Sequence, residues 1–417
     1  MNAPGGEDAL IGIALAAKPL QHRYMPPATR LQLPRSSALC YRPRAAESTS
    51  GQIGVRAGMV SLLKTARTGA RSFVSAVGAG LSEHPLAPHP FLRMHKGAQR
   101  LRSPQGLFRP AMLTVETVNI CNNKCIVCPY TVQTRARKTM PMALFRRIVD
   151  EYVSVGGGPI SLTPMVGEVF LDRFLPERLE LLRSTPGITT ISATTNATMA
   201  RRYDDAKLAS MLDAFGRVLV SVYGLDRDEY QTMVLRDDYE LMVAQLVRIA
   251  ALAKPGTVNV GLRLLKHRTD DEVVAWAFDL ARRAGVERIN VHNSTSEFFN
   301  WNHFDVSRPL PHDATWAPVV ENTQQCLVPF VAFQALVDGS ISFCPGADYE
   351  GHPSLALGNV SDTSLVAMLS SDRVRRLWRW DRHGVPELCK TCNFHRPVES
   401  ARKIKWLLDD PNRYLGA

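Results

Sequence analysis

Seven of the eight cysteines fall into two groups whose spacing suits metal ligation. Cys121, Cys125 and Cys128 form a Cys-x3-Cys-x2-Cys triplet directly after an apolar stretch. Three thiolates this close can ligate three irons of a [4Fe-4S] cluster and leave the fourth iron open to another ligand. Structural zinc takes four closed ligands, usually from paired Cys-x2-4-Cys knuckles, so the unequal spacing favours iron while leaving zinc as an alternative. The second group is Cys326, Cys344, Cys389 and Cys392. Between its first two members, Asp338-Gly339 separates two apolar runs and predicts a hairpin. Helical periodicity follows over residues 364–378, ahead of the closing Cys389-x2-Cys392. By spacing alone, four sulfurs in this arrangement fit a zinc knuckle and an iron-sulfur cluster equally well. Cys40 stands apart from both groups and reads as a free thiol.

The elements that would position these cysteines begin at residue 111, where strand and helix patterns start to alternate. Strands are predicted at 112–119, 160–165, 189–195, 217–223, 258–265 and 288–292, and helices at 142–153, 175–182, 203–214, 239–253 and 270–284. Six strands joined by helices imply a parallel sheet. In the fifth strand Val258, Val260, Leu262 and Leu264 share one face, while Asn259, Gly261 and Arg263 share the other. Four further strands repeat this division, placing Glu116, Ser221, Tyr223 and His292 on the polar side. A parallel strand covered on both faces should be apolar on both, so the one-sided polarity predicts a curved sheet with a wet concave face. That shape is an α/β partial barrel with a polar lumen.

Charge and composition separate the chain differently. Of 50 basic and 39 acidic residues, 15 and 4 lie within residues 1–110, leaving 35 of each in the remainder. The basic balance therefore belongs to the N-terminal region, which weakens any reading of the whole chain as a nucleic-acid binder. Residues 1–58 read as a disordered basic extension. Residues 59–110 read as an amphipathic helix and linker, with 59–77 either packing on the core or touching a membrane surface or acidic partner. No secretory signal is evident, and oxygen-labile thiolate clusters suit a reducing cytoplasm, the expected location.

The triplet resembles the signature of the radical SAM superfamily. The resemblance implies a (β/α)6 partial TIM barrel over 111–297, a [4Fe-4S] cluster on Cys121, Cys125 and Cys128, and S-adenosylmethionine on its open iron. Met165-Val166-Gly167-Glu168 is similar to the family's Gly-Gly-Glu motif, implying that Glu168 receives the ligand's amino group. Thr195-Asn196-Ala197-Thr198 resembles Thr-Asn-Gly-Thr, and Ser221-Val222-Tyr223-Gly224 resembles Ser-Ile-Asp-Gly. By the same resemblance Asn196 joins the cofactor contacts, Ser221 and Arg263 bind its ribose and carboxylate, and Tyr130 covers its adenine. The chain departs from the pattern at Val127, Val166, Ala197 and Tyr223.

Residues 298–417 resemble the twitch or shortened SPASM extension of these enzymes, especially that of aminocyclitol dehydrogenases. The likeness implies a small hairpin-helix extension holding a second [4Fe-4S] cluster on Cys326, Cys344, Cys389 and Cys392. The implied activity is an oxidoreductase, supplied with electrons by flavodoxin or ferredoxin. Its radical would take a hydrogen atom from an alcohol or amine carbon of a small polar metabolite, and the second cluster would accept an electron. Tyr223, Glu116 and His292 are the candidates to move the proton. Two other readings remain: a maturase of a ribosomally made peptide substrate, and a non-enzymatic zinc protein binding nucleic acid.

Overall fold

The computed structural model describes residue 107 and residues 109–163, 165–293, 296–299 and 306–397. The expectations for 1–58 and for most of 59–110, including 59–77, lie outside these residues. So does the C-terminal stretch beyond 397.

The barrel half follows the order β1 (Met112–Val115), α1 (Met142–Ser154), β2 (Gly158–Ser161), α2 (Leu175–Ser184), β3 (Ile188–Thr195), α3 (Asp205–Ala214) and β4 (Arg217–Tyr223). It continues through α4 (Arg227–Val234), α5 (Tyr239–Leu252), β5 (Val258–Arg263), α6 (Asp270–Ala284) and β6 (Asn290–Asn293). β1 to β6 are neighbours in sequence order and pair in parallel. This is the right-handed strand-helix-strand repeat that the alternating pattern demanded. Local chemistry sets the helix limits. α6 starts on a capping box, in which Thr269 accepts from the Glu272 amide while Glu272 accepts from the Thr269 amide, and Gly285 ends it in the left-handed conformation.

Outward strand residues Val218, Val220, Val222, Val260 and Leu262 pack with helix residues such as Leu246, Ile249 and Leu280 in one buried core. Each such side chain contributes about 1.5–3 kcal/mol of burial. The inward face is polar, as the alternation predicts. Thr114, Ser161, Ser192 and Arg217 lie in register across four strands, and Ser221, Gly261 and His292 form a rung higher up.

The last quarter contains β7 (Glu297–Phe298), β8 (Thr315–Trp316), α7 (Val328–Val331), β9 (Ala332–Ala335), β10 (Ser340–Ser342), β11 (Ala356–Asn359), α8 (Leu365–Ser370), α9 (Asp372–Leu377) and α10 (Trp380–His383). The predicted hairpin is β9–β10, turning at Gly339 with φ near 90°. The hairpin does not stand apart. β9 pairs in parallel with β1 from Met112↔Ala332 to Val115↔Ala335, so the extension continues the barrel sheet past its first strand. The helix expected over 364–378 is broken, because the Ser371 side chain caps α9 where α8 ends. Among the described residues, no helix is long and apolar enough to cross a membrane.

Candidate active site

The triplet lies in the loop after β1. Cys125 is buried, and Cys121 and Cys128 are partly so. The loop folds back on itself as the Cys128 amide donates to the Cys125 carbonyl (3.0 Å), and the Ile126 amide donates to Met233 at the end of α4 (2.9 Å). The Cys121 sulfur receives the Asn123 amide (3.4 Å), and Asn196 Nδ2 approaches it at 3.9 Å. Asn196 also donates to Asn122 Oδ1 (3.0 Å), joining the end of β3 to the triplet. Burial pushes the Cys121 thiol to about 12 and the Cys128 thiol to about 11; at Cys121 the Glu168 carboxylate and then the Cys128 sulfur add to the rise. Burial, and then the Cys128 and Cys121 sulfurs, lift Cys125 well above the ordinary value. Three crowded, desolvated sulfurs are costly as bare anions, so cationic iron is the partner that makes their thiolate forms stable. Among the described residues no fourth cysteine joins them. The donor set thus fits a cluster with one iron left open.

Glu168 is buried and held at the end of β3. Its Oε1 accepts from Thr195 Oγ1 (2.6 Å) and the Phe170 amide (3.1 Å), and its Oε2 accepts from the Asn196 amide (2.7 Å). The Glu168 amide donates to Ile120 (2.9 Å), tying this motif to the strand end that carries the triplet. Burial raises the carboxyl's pKa against these three donors. Ala197, where the related motif has glycine, keeps a glycine-like backbone with φ near 66°. Gly224 is required for a different reason: a Cβ there would lie 2.6 Å from the Glu229 side chain. Glu229 is itself fully buried and accepts from the Leu225, Leu265 and Lys266 amides and from Arg268. It fixes the upper ends of β4 and β5, and sequence reading missed both it and the short helix α4 that carries it.

Tyr223 and Arg263 are register partners at the top of β4 and β5, one rung above Ser221. Burial and the nearby triplet sulfurs hold the Tyr223 phenol well above its usual pKa, so it stays protonated. His292 shares the Ser221 rung, and Arg217 contacts its Nε2 at 3.3 Å. Burial first, and then Arg217, lower its pKa, so the ring is neutral at pH 7. Arg217 was legible as the first inward position of β4, two alternations before Ser221, and was overlooked. Glu116, the third proton-transfer candidate, is buried and fully engaged. Both its oxygens accept from Arg135 (2.6 and 2.8 Å), and Oε2 also accepts from the Val337 amide (3.1 Å). The Glu116–Arg135 pair, with the Val337 contact, links β1 to the hairpin. Tyr130 is buried against Val166 and Tyr349, with the Arg137 guanidinium 4.9 Å from its ring centroid.

Cys326, Cys344, Cys389 and Cys392 line one cavity together with Val328, Ala347, Leu355, Leu388, Phe394 and His395. Burial raises all four thiols, and mutual repulsion adds to the rise at Cys344, Cys389 and Cys392. Asn322, absent from the sequence reading, sets the Cys389-x2-Cys392 turn. Its Nδ2 donates to the Cys389 and Cys392 carbonyls at 2.7 and 2.8 Å. Gly346 is indispensable here, since a Cβ would lie 2.1 Å from the Phe394 ring. Among the described residues no three His, Cys, Asp or Glu side chains converge on a single-ion site. Four sulfurs around one apolar cavity suit a four-iron cube, whose ligands sit on separate corners.

The radical SAM superfamily profile matches residues 115–293, and the profile of the SPASM iron-sulfur cluster-binding domain matches residues 326–393. This chain carries a radical SAM domain and a SPASM domain. Its cofactors are accordingly [4Fe-4S] clusters and S-adenosylmethionine, which displaces the reading as a non-enzymatic zinc protein. A GTP 3',8-cyclase of Chlorobaculum tepidum is 27% identical over 192 residues, 46% of this chain and 53% of that protein. The molybdenum cofactor biosynthesis protein moc-5 of Caenorhabditis elegans is 26% identical over 166 residues, 39% of this chain and 26% of that one. The chain spans about half or less of the length of these curated relatives. Among solved structures, BtrN in complex with AdoMet and 2-DOIA aligns with a TM-score of 0.44 and 16% identity, covering 68% of this chain and 93% of BtrN. Streptococcus suis SuiB bound to its precursor peptide SuiA aligns with a TM-score of 0.47 and 12% identity, covering 74% and 77%.

Proposed function

We propose that this radical SAM enzyme is an oxidoreductase that removes two electrons from an alcohol or amine carbon of a small polar metabolite. The observation that carries the proposal is the set of four sulfurs lining one cavity, with Cys344 just past a hairpin that continues the barrel sheet. A site whose ligands are all protein sulfurs suits electron acceptance better than substrate binding. When bound, the triplet cluster and S-adenosylmethionine supply the radical that takes a hydrogen atom, and the second cluster takes the remaining electron. Flavodoxin or ferredoxin is the proposed outside donor.

The chain's own residues do the rest. Asn196 stands beside Cys121 at the rim, and Glu168 fixes the backbone at Asn196 by accepting its amide. Ser221 and Arg263 face the lumen beneath, where a planar guanidinium suits a carboxylate. Tyr223 donates a hydrogen bond and does not act as a base, given its raised pKa. His292 enters neutral and is the proton acceptor in this proposal. Arg217 disfavours its charged form, so a proton taken there is passed on quickly.

Anaerobic reconstitution should give about eight irons per chain and two distinguishable paramagnetic signals. The Cys389→Ala, Cys392→Ala double variant should still cleave S-adenosylmethionine while losing oxidation of a sugar-alcohol or aminocyclitol substrate. Full-rate oxidation by that variant would sink the electron-acceptor role.

A further inference from the structure

The two cluster sites are physically joined by the seven residues from Cys344 to Glu350. Cys344 lines the four-sulfur cavity. Four residues later, Asp348 is buried and fixed: its carboxylate accepts from Ser342 Oγ and from the Gly351 and His352 amides, and its carbonyl accepts from Gln334 on β9. Held this way, the chain delivers Tyr349 to the other cluster. Tyr349 is buried in a small apolar group with Tyr130 and Val166, against which Cys121, Cys128 and Met165 pack. The neighbouring Glu350 grips the loop that follows the triplet. Its Oε1 accepts from the Thr134 amide (2.7 Å) and its Oε2 from Thr134 Oγ1 (3.0 Å). The adjacent Arg135 makes the second fastening, through Glu116 to Val337. Burial and the charges of Glu350 and Cys128 hold the Tyr349 phenol neutral, in keeping with its place beside the sulfurs.

Val166 and Tyr130 alone would leave this side of the triplet incomplete. Val166 replaces a glycine of the related motif and supplies apolar surface that glycine lacks. Tyr349 packs on that added surface, so the departure at Val166 acquires a physical reason.

We propose that Tyr349, although carried by the SPASM domain, is a positioning residue of the radical cluster: it covers one side of Cys121 and Cys128 and limits their exposure, and the Glu350–Thr134 clamp holds it there. The inference rests on the triplet being the radical cluster and not on the identity of the substrate. An iron-sulfur cluster's potential responds to solvent exposure, so loss of the wall has an electrochemical signature.

The test uses reconstituted full-length protein and follows the paramagnetic signal that changes when S-adenosylmethionine is added, because only the open-iron cluster can respond. Tyr349→Ala should raise the midpoint potential of that signal and speed its bleaching by an iron chelator several-fold. Tyr349→Phe, which keeps the ring, should stay near the parent on both measures. Glu350→Gln, which weakens the clamp without removing the wall, should bleach at an intermediate rate. The inference is overturned if Tyr349→Ala and Glu350→Gln both match the parent in potential and bleaching. If Tyr349→Ala does not fold, parent-like bleaching of Glu350→Gln is enough to overturn it. All these readouts precede turnover, so failure of the proposed oxidation would leave this result standing, and the converse also holds.

Discussion

The two cysteine sites are built to opposite specifications. The triplet sits on a loop whose Cys121 and Cys128 remain partly open and whose Lys124 is exposed. Polar groups of Asn122, Asn196 and Thr198 converge beside it. The SPASM set is lined by aliphatic and aromatic side chains, and its fourth sulfur arrives on a turn closed from behind by Asn322. The difference teaches what each can exchange. A site with an open ligand position and polar flanks can admit a charged cofactor, whereas a closed apolar one can exchange little but electrons.

The most severe way to break the contrast is to remove the triplet. Replacing Cys121, Cys125 and Cys128 with Ala should abolish S-adenosylmethionine cleavage while about four irons per chain remain at the SPASM site, as read by iron assay and chromatography of cleavage products. Asn322→Ala attacks the other side. It removes the Asn322 hydrogen bonds to the Cys389 and Cys392 carbonyls and leaves each with one longer backbone donor, at a cost of about 1 kcal/mol per bond, and should lower SPASM iron occupancy while triplet-bound iron is retained.

A subtler probe concerns the lumen between the two sites. Burial, and then Arg217, hold the folded-state pKa of His292 below the ordinary imidazole value of about 6.5. The unfolded chain therefore binds the extra proton first as pH falls. The stabilising contribution of the neutral ring is complete above about 6.5 and declines below it, until the folded pKa is passed. Arg217→Gln should move the His292 titration up toward its ordinary value, measurable by NMR, and shrink this acid sensitivity. The smallest effect is expected at Ala197, where Ala197→Gly should relieve a left-handed alanine worth about 1 kcal/mol and raise the thermal midpoint slightly. An unchanged or lower midpoint would show that the lost glycine costs nothing here.

Much of this was legible in the sequence because it is local. The cysteine spacings, the alternation in Val258–Arg263 and the turn at Asp338-Gly339 each declare themselves within a few residues. What escaped depends on distant partners. Arg135 lies in an irregular loop, and nothing near it points to Glu116. Asn322 is one polar residue in an unpatterned stretch, 67 residues before the first carbonyl it holds. α4 is only eight residues long and largely polar, too short for its periodicity to stand out. The pairing of β9 with β1 is a parallel register between residues far apart in the chain, and neither strand's side-chain pattern encodes its neighbour.

That pairing has a consequence for biosynthesis. Met112 meets Ala332, so a ribosome must add 220 residues before β1 acquires the neighbour on its outer edge. At ordinary elongation speeds the wait is roughly 10–40 s. Throughout it, the strand edge beside the triplet lacks the covering that β9 provides and Glu116 lacks the Val337 amide. The nascent chain thus presents the triplet thiols in a less sheltered form than the finished protein does, and machinery that delivers iron meets two different surfaces before and after the last quarter is made.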